Sequence, residues 1–114
     1  MIPAVVSRPG KGQCEPSPAE CREVAEFLQG FANPVRVEIL CTLKDGEKSV
    51  GEIAQAVGAK QSNISQQLHI LMAKGYVAKR REERNIFYRV LRSEIYKVME
   101  HIFRLVCGCG LSGD

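Results

Sequence analysis

Two helical patterns separated by only Ala59 and Lys60, with a charged hairpin pattern close behind, most constrain what this chain can fold into. Ser49 supplies a helix cap, Ile53, Ala54 and Val57 an apolar spacing, and Gly58 a stop, which predicts a short helix. After the break, QSNISQQLHILMAKG puts Ile64, Leu68, Leu71 and Met72 on one face, with Ser62, Asn63, Ser65, Gln66 and His69 largely on others. Gly75 ends this segment. YVAKRREERNIFYRVL then alternates apolar and polar residues about a charged turn at Glu82 to Asn85, predicting a two-stranded hairpin with Val77, Ile86, Tyr88 and Val90 packed. The expected fold is mainly α with a β-hairpin wing: a winged helix-turn-helix.

The flanking segments supply the rest of such a domain. Ser17 reads as an N-cap, Pro18 as the first helical position and Glu20 as the capping-box partner. Cys21, Val24, Phe27, Leu28 and Phe31 form that helix's apolar stripe, in which Cys21 reads as a small hydrophobe. Asn33-Pro34 repeats the start signal for a short, buried helix through Val35, Val37, Ile39, Leu40, Cys41 and Leu43, stopped by KDGEK at residues 44–48. Ser93 is the expected cap of a last amphipathic helix whose Ile95, Val98, Met99, Ile102, Phe103, Leu105 and Val106 spread over more than one face. One small core cannot hide both this surface and the stripe of the first helix, so a homodimer through the first and last helices is expected. Residues 1–16, with Pro3, Pro9, Gly10, Gly12 and Pro16, read as a flexible N-terminal arm. The winged-helix DNA-binding and dimerisation domain then covers 17–107, and 108–114 form a C-terminal tail.

At 114 residues, 45% of them hydrophobic, the chain suits one domain with a modest core. Apolar runs fall short of the ~18 residues a membrane span needs, and IPAVV at residues 2–6 is too short for a signal-peptide core. A cytoplasmic location with no membrane partner is expected. Charge is segmental: Lys60, Lys74, Lys79, Arg80, Arg81, Arg84, Arg89 and Arg92 are opposed only by Glu82 and Glu83, while the remainder is net acidic. Such a basic segment suits a polyanion, nucleic acid first. Side chains at the start of the second helix of the pair, Gln61, Ser62, Asn63, Ser65 and Gln66, can donate and accept at base edges in the major groove, and Asn or Gln can engage adenine bidentately. Arg80, Arg81, Arg84 and Asn85 of the hairpin can reach the flanking backbone or the minor groove, adding salt-dependent affinity more than sequence choice.

FANPVRVEILCTL, GEKSVGEIAQAVGAKQSNISQQLHILMAKGYVAKRREERNIFYRV and the closing helix resemble the ArsR/SmtB family of dimeric bacterial winged-helix repressors, over nearly the whole chain after the arm. That resemblance implies a two-fold dimer bound to inverted-repeat operator DNA and released by an inducer. It implies no enzyme, and no cofactor is expected.

Five cysteines, an odd number, raise the question of the inducer. In a reducing compartment they are reactive thiols, ligands or core residues rather than structural disulfides. The cysteine pair that some metal-sensing relatives carry at the start of the third helix is replaced here by SVGEIA, and the last helix offers only Glu100 and His101, too few for a closed tetrahedral site. EILCTL, GEKSVGE and the terminal RLVC are similar to the sulfide- and persulfide-responsive branch of the family. That likeness implies that Cys41 and Cys107 form the sensor, bridged by reactive sulfur as a disulfide or polysulfide. Two other readings stay open. Cys41, Cys107 and Cys109 could supply three thiolates to an arsenite-type metalloid, or the thiols could sense oxidants generally. Cys14 is unplaced.

Overall fold

The structure is a computed structural model and describes residues 15–108. Cys14, Cys109 and most of the expected arm and tail lie outside the described residues. Helices α1 (Pro18–Leu28), α2 (Pro34–Thr42), α3 (Val50–Val57), α4 (Gln61–Ala73) and α5 (Ile95–Cys107) are joined by strands β1 (Lys48–Ser49), β2 (Val77–Glu82) and β3 (Asn85–Val90).

Local chemistry starts most of these helices. The Ser17 hydroxyl accepts from the Glu20 amide at 3.2 Å while the Glu20 carboxylate accepts from the Ser17 amide at 2.8 Å. Ser49 and Glu52 form a second reciprocal box with the same distances, the same Ser-x-x-Glu spacing as Ser17 and Glu20. Asn33 Oδ1 takes the amides of Val35 and Arg36. Each such cap stabilises its helix by about 1 kcal/mol. The α5 start differs from expectation: its N-cap is Glu94, not Ser93, and no side chain caps it. Instead the amides of Ile95, Tyr96 and Lys97 each donate to the carbonyl three residues back, at Arg92, Ser93 and Glu94, so the tight turn satisfies them without a hydroxyl.

Ile39, Leu40, Ile53, Ile64, Leu68 and Leu71 are fully buried where α2, α3 and α4 pack together, each contributing about 1.5–3 kcal/mol. Beyond them, Val77 and Tyr88 of the hairpin and Ile95 and Met99 of α5 complete the core, and no polar or charged residue is buried among the described residues. The hairpin register runs from Val77↔Val90 to Glu82↔Asn85, which makes Glu83 and Arg84 the turn, Glu83 at φ 57°. A third strand, which the sequence pattern does not predict, joins this sheet: β1 pairs Lys48 with Tyr88 and Ser49 with Phe87, giving the antiparallel order β1-β3-β2. Two residues are too few to show a period, so only the fold reveals them.

No α1 residue is buried, and Cys21, expected as a small hydrophobe of its stripe, is exposed. The helix is held at its C-terminal end. Tyr76, wholly buried, stacks on Phe27 with centroids 4.6 Å apart and meets Phe31 edge-on at 5.5 Å, and its hydroxyl donates to the Phe27 carbonyl. Gly30 leaves room for that ring, because a Cβ there would sit 2.6 Å from the Tyr76 hydroxyl oxygen. Lys74 Nζ adds hydrogen bonds to the Glu26 carbonyl and Gln29 Oε1. Val24 and Leu28 of α1 and Val98, Ile102, Leu105 and Val106 of α5 remain exposed in the single chain, Leu105 to 85%.

Candidate nucleic-acid interface and thiol pair

Helix α4 follows α3 across Gly58, a left-handed cap at φ 79° whose amide bonds back to Ala54. Its inner face carries Ile64, Leu68 and Leu71. Ser62, Ser65 and Gln66 are exposed, and the 3.6-residue period puts His69 on the same outward stripe. His69 belongs with the candidate contacts, and its spacing from Ser62 is the signal for it. Gln61 is also exposed, but its amide nitrogen lies near α3, 3.5 Å from where a Cβ on Gly51 would be. Asn63 is half-buried and turns toward Gln67, whose Nε2 donates to Asn63 Oδ1 at 3.4 Å. Gln67 in turn accepts from Arg36 Nη1 at 2.8 Å, and Arg36 Nη2 donates to the Gln29 carbonyl at 2.8 Å. Arg36 Nε is buried with no partner, a cost of about 1–3 kcal/mol that its other bonds offset. Sequence reasoning missed Arg36 and Gln67, since both lie in apolar-patterned helices with nothing local to mark them.

Expected wing contacts divide into free and engaged. Arg81, Arg84 and Asn85 are exposed, with Arg81 Nε donating to the Glu83 carbonyl. Arg80 is committed elsewhere. Its Nε meets both Glu47 oxygens at 2.8 and 2.9 Å, its Nη1 meets Glu82 at 2.7 Å, and its guanidinium lies 5.0 Å from the Phe87 ring centre. The Glu82 carboxylate first, and Glu47 next, raise its pKa above the ordinary guanidinium value. Arg89 also approaches Glu47, at 4.0 Å.

The two candidate sensor thiols sit in unlike surroundings. Cys41, near the C-terminal end of α2, is half-buried against the core, and burial pushes its pKa up; Lys44 lowers it and Glu38 raises it, both more weakly. Its neighbour Leu40 accepts from the Tyr96 hydroxyl, which pins the start of α5 to α2. Cys107 is the last residue of α5 and is exposed. Both thiols are free. Among the described residues no three His, Cys, Asp or Glu side chains gather as a metal ion requires; the alternative set included Cys109, outside that range.

Burial also raises the pKa of Tyr76 and of Tyr96. A raised folded-state pKa stabilises the fold while the group is protonated in both states, and that stability drains once the unfolded chain begins to ionise. Unfolded thiols and phenols titrate near about 8.5 and 10. The melting temperature is therefore expected to hold from neutral pH to about 8 and fall steadily above it, with Cys41→Ser removing the earliest part of the decline. A melting temperature that climbs over that interval would contradict these environments.

A packed helix pair, an outward polar stripe on the second helix and a cation-bearing hairpin beside it define a winged helix-turn-helix DNA-binding regulator. Residues 33–79 match the family model described as bacterial regulatory protein, arsR family. A biofilm growth-associated repressor of Xylella fastidiosa is 39% identical over 85 residues, 75% of each chain. The chain belongs to the ArsR family of bacterial regulatory proteins. Reduced HlyU from Vibrio cholerae superimposes with a TM-score of 0.68 at 35% identity, covering 78% of this chain and 94% of that one. A homodimeric winged helix-turn-helix DNA-binding domain from Mycobacterium bovis gives 0.69 at 30% identity, over 85% and 89%. No helix among the described residues is long and apolar enough to cross a membrane.

Proposed function

We propose that this regulator is a homodimeric repressor joined through α1 and α5 that binds inverted-repeat operator DNA and releases it when reactive sulfur bridges Cys41 to Cys107. What supports the sensing is a half-buried thiol on α2 whose pKa burial raises, together with an exposed thiol that ends α5. Exposed Val24, Leu28, Val98, Ile102, Leu105 and Val106 support the dimer, as does the homodimeric relative. A matched relative named in a reduced form accords with redox control.

Exposure makes Cys107 the nucleophile. Its thiolate attacks the outer sulfur of a low-molecular-weight persulfide, forming Cys107–S–SH and expelling the parent thiolate. Cys41, after losing its proton, then attacks the inner sulfur and expels hydrosulfide, leaving a disulfide. When Cys41 carries a persulfide of its own, the same attack leaves a trisulfide. In each case the added sulfur is the oxidant and sulfide is the reduced product. The bridge ties α2, which leads into the reading helices, to α5 of the dimer contact. Half-sites one duplex turn apart no longer match the two α4 helices.

Intact mass measurement tests the chemistry: persulfide treatment should yield a 41–107 crosslink that includes molecules retaining added sulfur, and Cys109→Ser should leave persulfide-driven release unchanged. Stoichiometric arsenite that frees the DNA unaided would favour the three-thiolate reading instead.

Gln61, Ser62, Asn63, Ser65 and Gln66 are assigned to the major groove, and Arg81, Arg84 and Asn85 to the flanking backbone, with Arg80 available once its carboxylates yield. Arg81→Ala is expected to weaken binding to every duplex alike, whereas Gln66→Ala relaxes preference at about one base pair per half-site, at about 1–3 kcal/mol. Glu47 competes with phosphate for Arg80 and Arg89. Glu47→Gln should therefore tighten non-specific binding and steepen the salt dependence by about 0.9 for each further phosphate that these arginines neutralise. An unchanged slope would mean that Arg80 and Arg89 stay off the DNA.

A further inference from the structure

An arginine guanidinium only donates hydrogen bonds, and this one-way chemistry propagates along α4. Arg36 Nη1 donates to Gln67 at 2.8 Å, so the oxygen of that amide must face Arg36 and its NH2 must face away. The NH2 group then donates to Asn63 Oδ1 at 3.4 Å. With its oxygen turned back toward Gln67, Asn63 has its own NH2 left to offer outward. An asparagine that reads adenine bidentately needs both its oxygen and its NH2 at the base edge.

We infer that Arg36 is a positioning residue that fixes the amide polarity of Asn63 through Gln67, so that Asn63 addresses a hydrogen-bond acceptor on a base edge rather than the donor–acceptor pair of adenine. The major-groove acceptors are guanine O6 and N7, thymine O4 and adenine N7, so a lone NH2 can meet adenine at N7 but cannot single it out from guanine or thymine. This rests on the reading of α4 as the major-groove helix. It deepens that reading in one respect: the sequence treats the asparagine and glutamine side chains alike as able to engage adenine, and the Arg36–Gln67–Asn63 chain engages one lone pair of the Asn63 oxygen and turns that oxygen toward Gln67, which disfavours the bidentate pose. The same guanidinium also holds the Gln29 carbonyl at the end of α1, so the orientation of the amide depends on how α1 is seated.

Selection from duplexes with a randomised half-site, using the full-length reduced protein at one salt concentration, tests the inference. Asn63→Ala should flatten preference at one base pair per half-site, and the wild type should show no preference there for adenine over guanine or thymine. Gln67→Met frees the Asn63 oxygen and should move the preference there toward adenine by about tenfold, the discrimination of one bidentate pair. Gln67→Glu keeps the bond to Arg36 but accepts from the Asn63 NH2, which turns the Asn63 oxygen outward and should move the preference toward a base that presents a donor, adenine or cytosine, in a protein that stays folded. Arg36→Met should follow, because the Gln67 amide is then free to turn over. Adenine already preferred by the wild type at that pair, or a preference the Gln67 variants leave unmoved, would overturn the inference. A wild type that selects no sequence at all would instead strike the reading of α4 itself, and the inference would fall with it.

Discussion

Tyr76→Ala is expected to destabilise the fold by about 3–5 kcal/mol, as removing a buried aromatic ring does, out of a total of about 5–15 kcal/mol for a domain of this kind. The ring is fully buried against Phe27 and Phe31, and Gly30 leaves room for it. Tyr76→Phe isolates the hydroxyl: it keeps the ring and loses only the bond to the Phe27 carbonyl, at about 0.5–1.5 kcal/mol. Gly30→Ala reaches the same contact from the other side, pushing a methyl group into a ring that Phe27 stacks on and Phe31 meets edge-on. Denaturant unfolding would rank the three. An alanine at position 76 that leaves the midpoint unmoved would show that α1 is not anchored there. The consequence is also functional, because this aromatic contact joins a helix of the proposed dimer to the chain immediately after α4.

The second large effect separates the two thiols. With wild-type protein, persulfide should weaken operator binding by roughly 5- to 150-fold, the range of typical coupling energies of about 1–3 kcal/mol between sites. Cys107→Ser should lose both the sulfur uptake and the release. Cys41→Ser should still take up sulfur at Cys107 yet hold its operator, since no bridge can close. The asymmetry follows from burial: Cys41 is the slow, protonated partner, and raising the pH toward and beyond the ordinary thiol range should accelerate closure of the bridge more than the first sulfur transfer. Persulfide that frees Cys41→Ser from DNA as readily as wild type would dispose of the bridging mechanism.

Helix boundaries were legible wherever the responsible groups lie within a few residues of one another. Ser17 with Glu20, Asn33 with Pro34, Ser49, and Gly58 each act on the nearest turn, and the hairpin shows its register in its own alternation. The start of α5 escaped because backbone carbonyls, identical in every residue, replaced the side-chain cap. In the site, the outward stripe of Ser62, Ser65 and Gln66 was readable from the helical period. That Asn63 turns inward was not, since its partner Gln67 is oriented by an arginine 31 residues earlier in the chain. Nor could charge counting reveal that Glu47, 33 residues from Arg80, holds one of the wing's cations.

The sequence by itself determined the order of the elements, the apolar faces that must be covered, the basic segment and family membership, because these depend on residue type and short spacing. Tertiary structure decided which polar groups are engaged: it paired Arg80 with Glu47 and Glu82, set the Asn63 oxygen against Gln67 and half-buried one candidate thiol while leaving the other exposed. Hydrogen-bond partnership and desolvation act over a few ångströms, and folding brings within that reach residues that lie thirty or more positions apart along the chain.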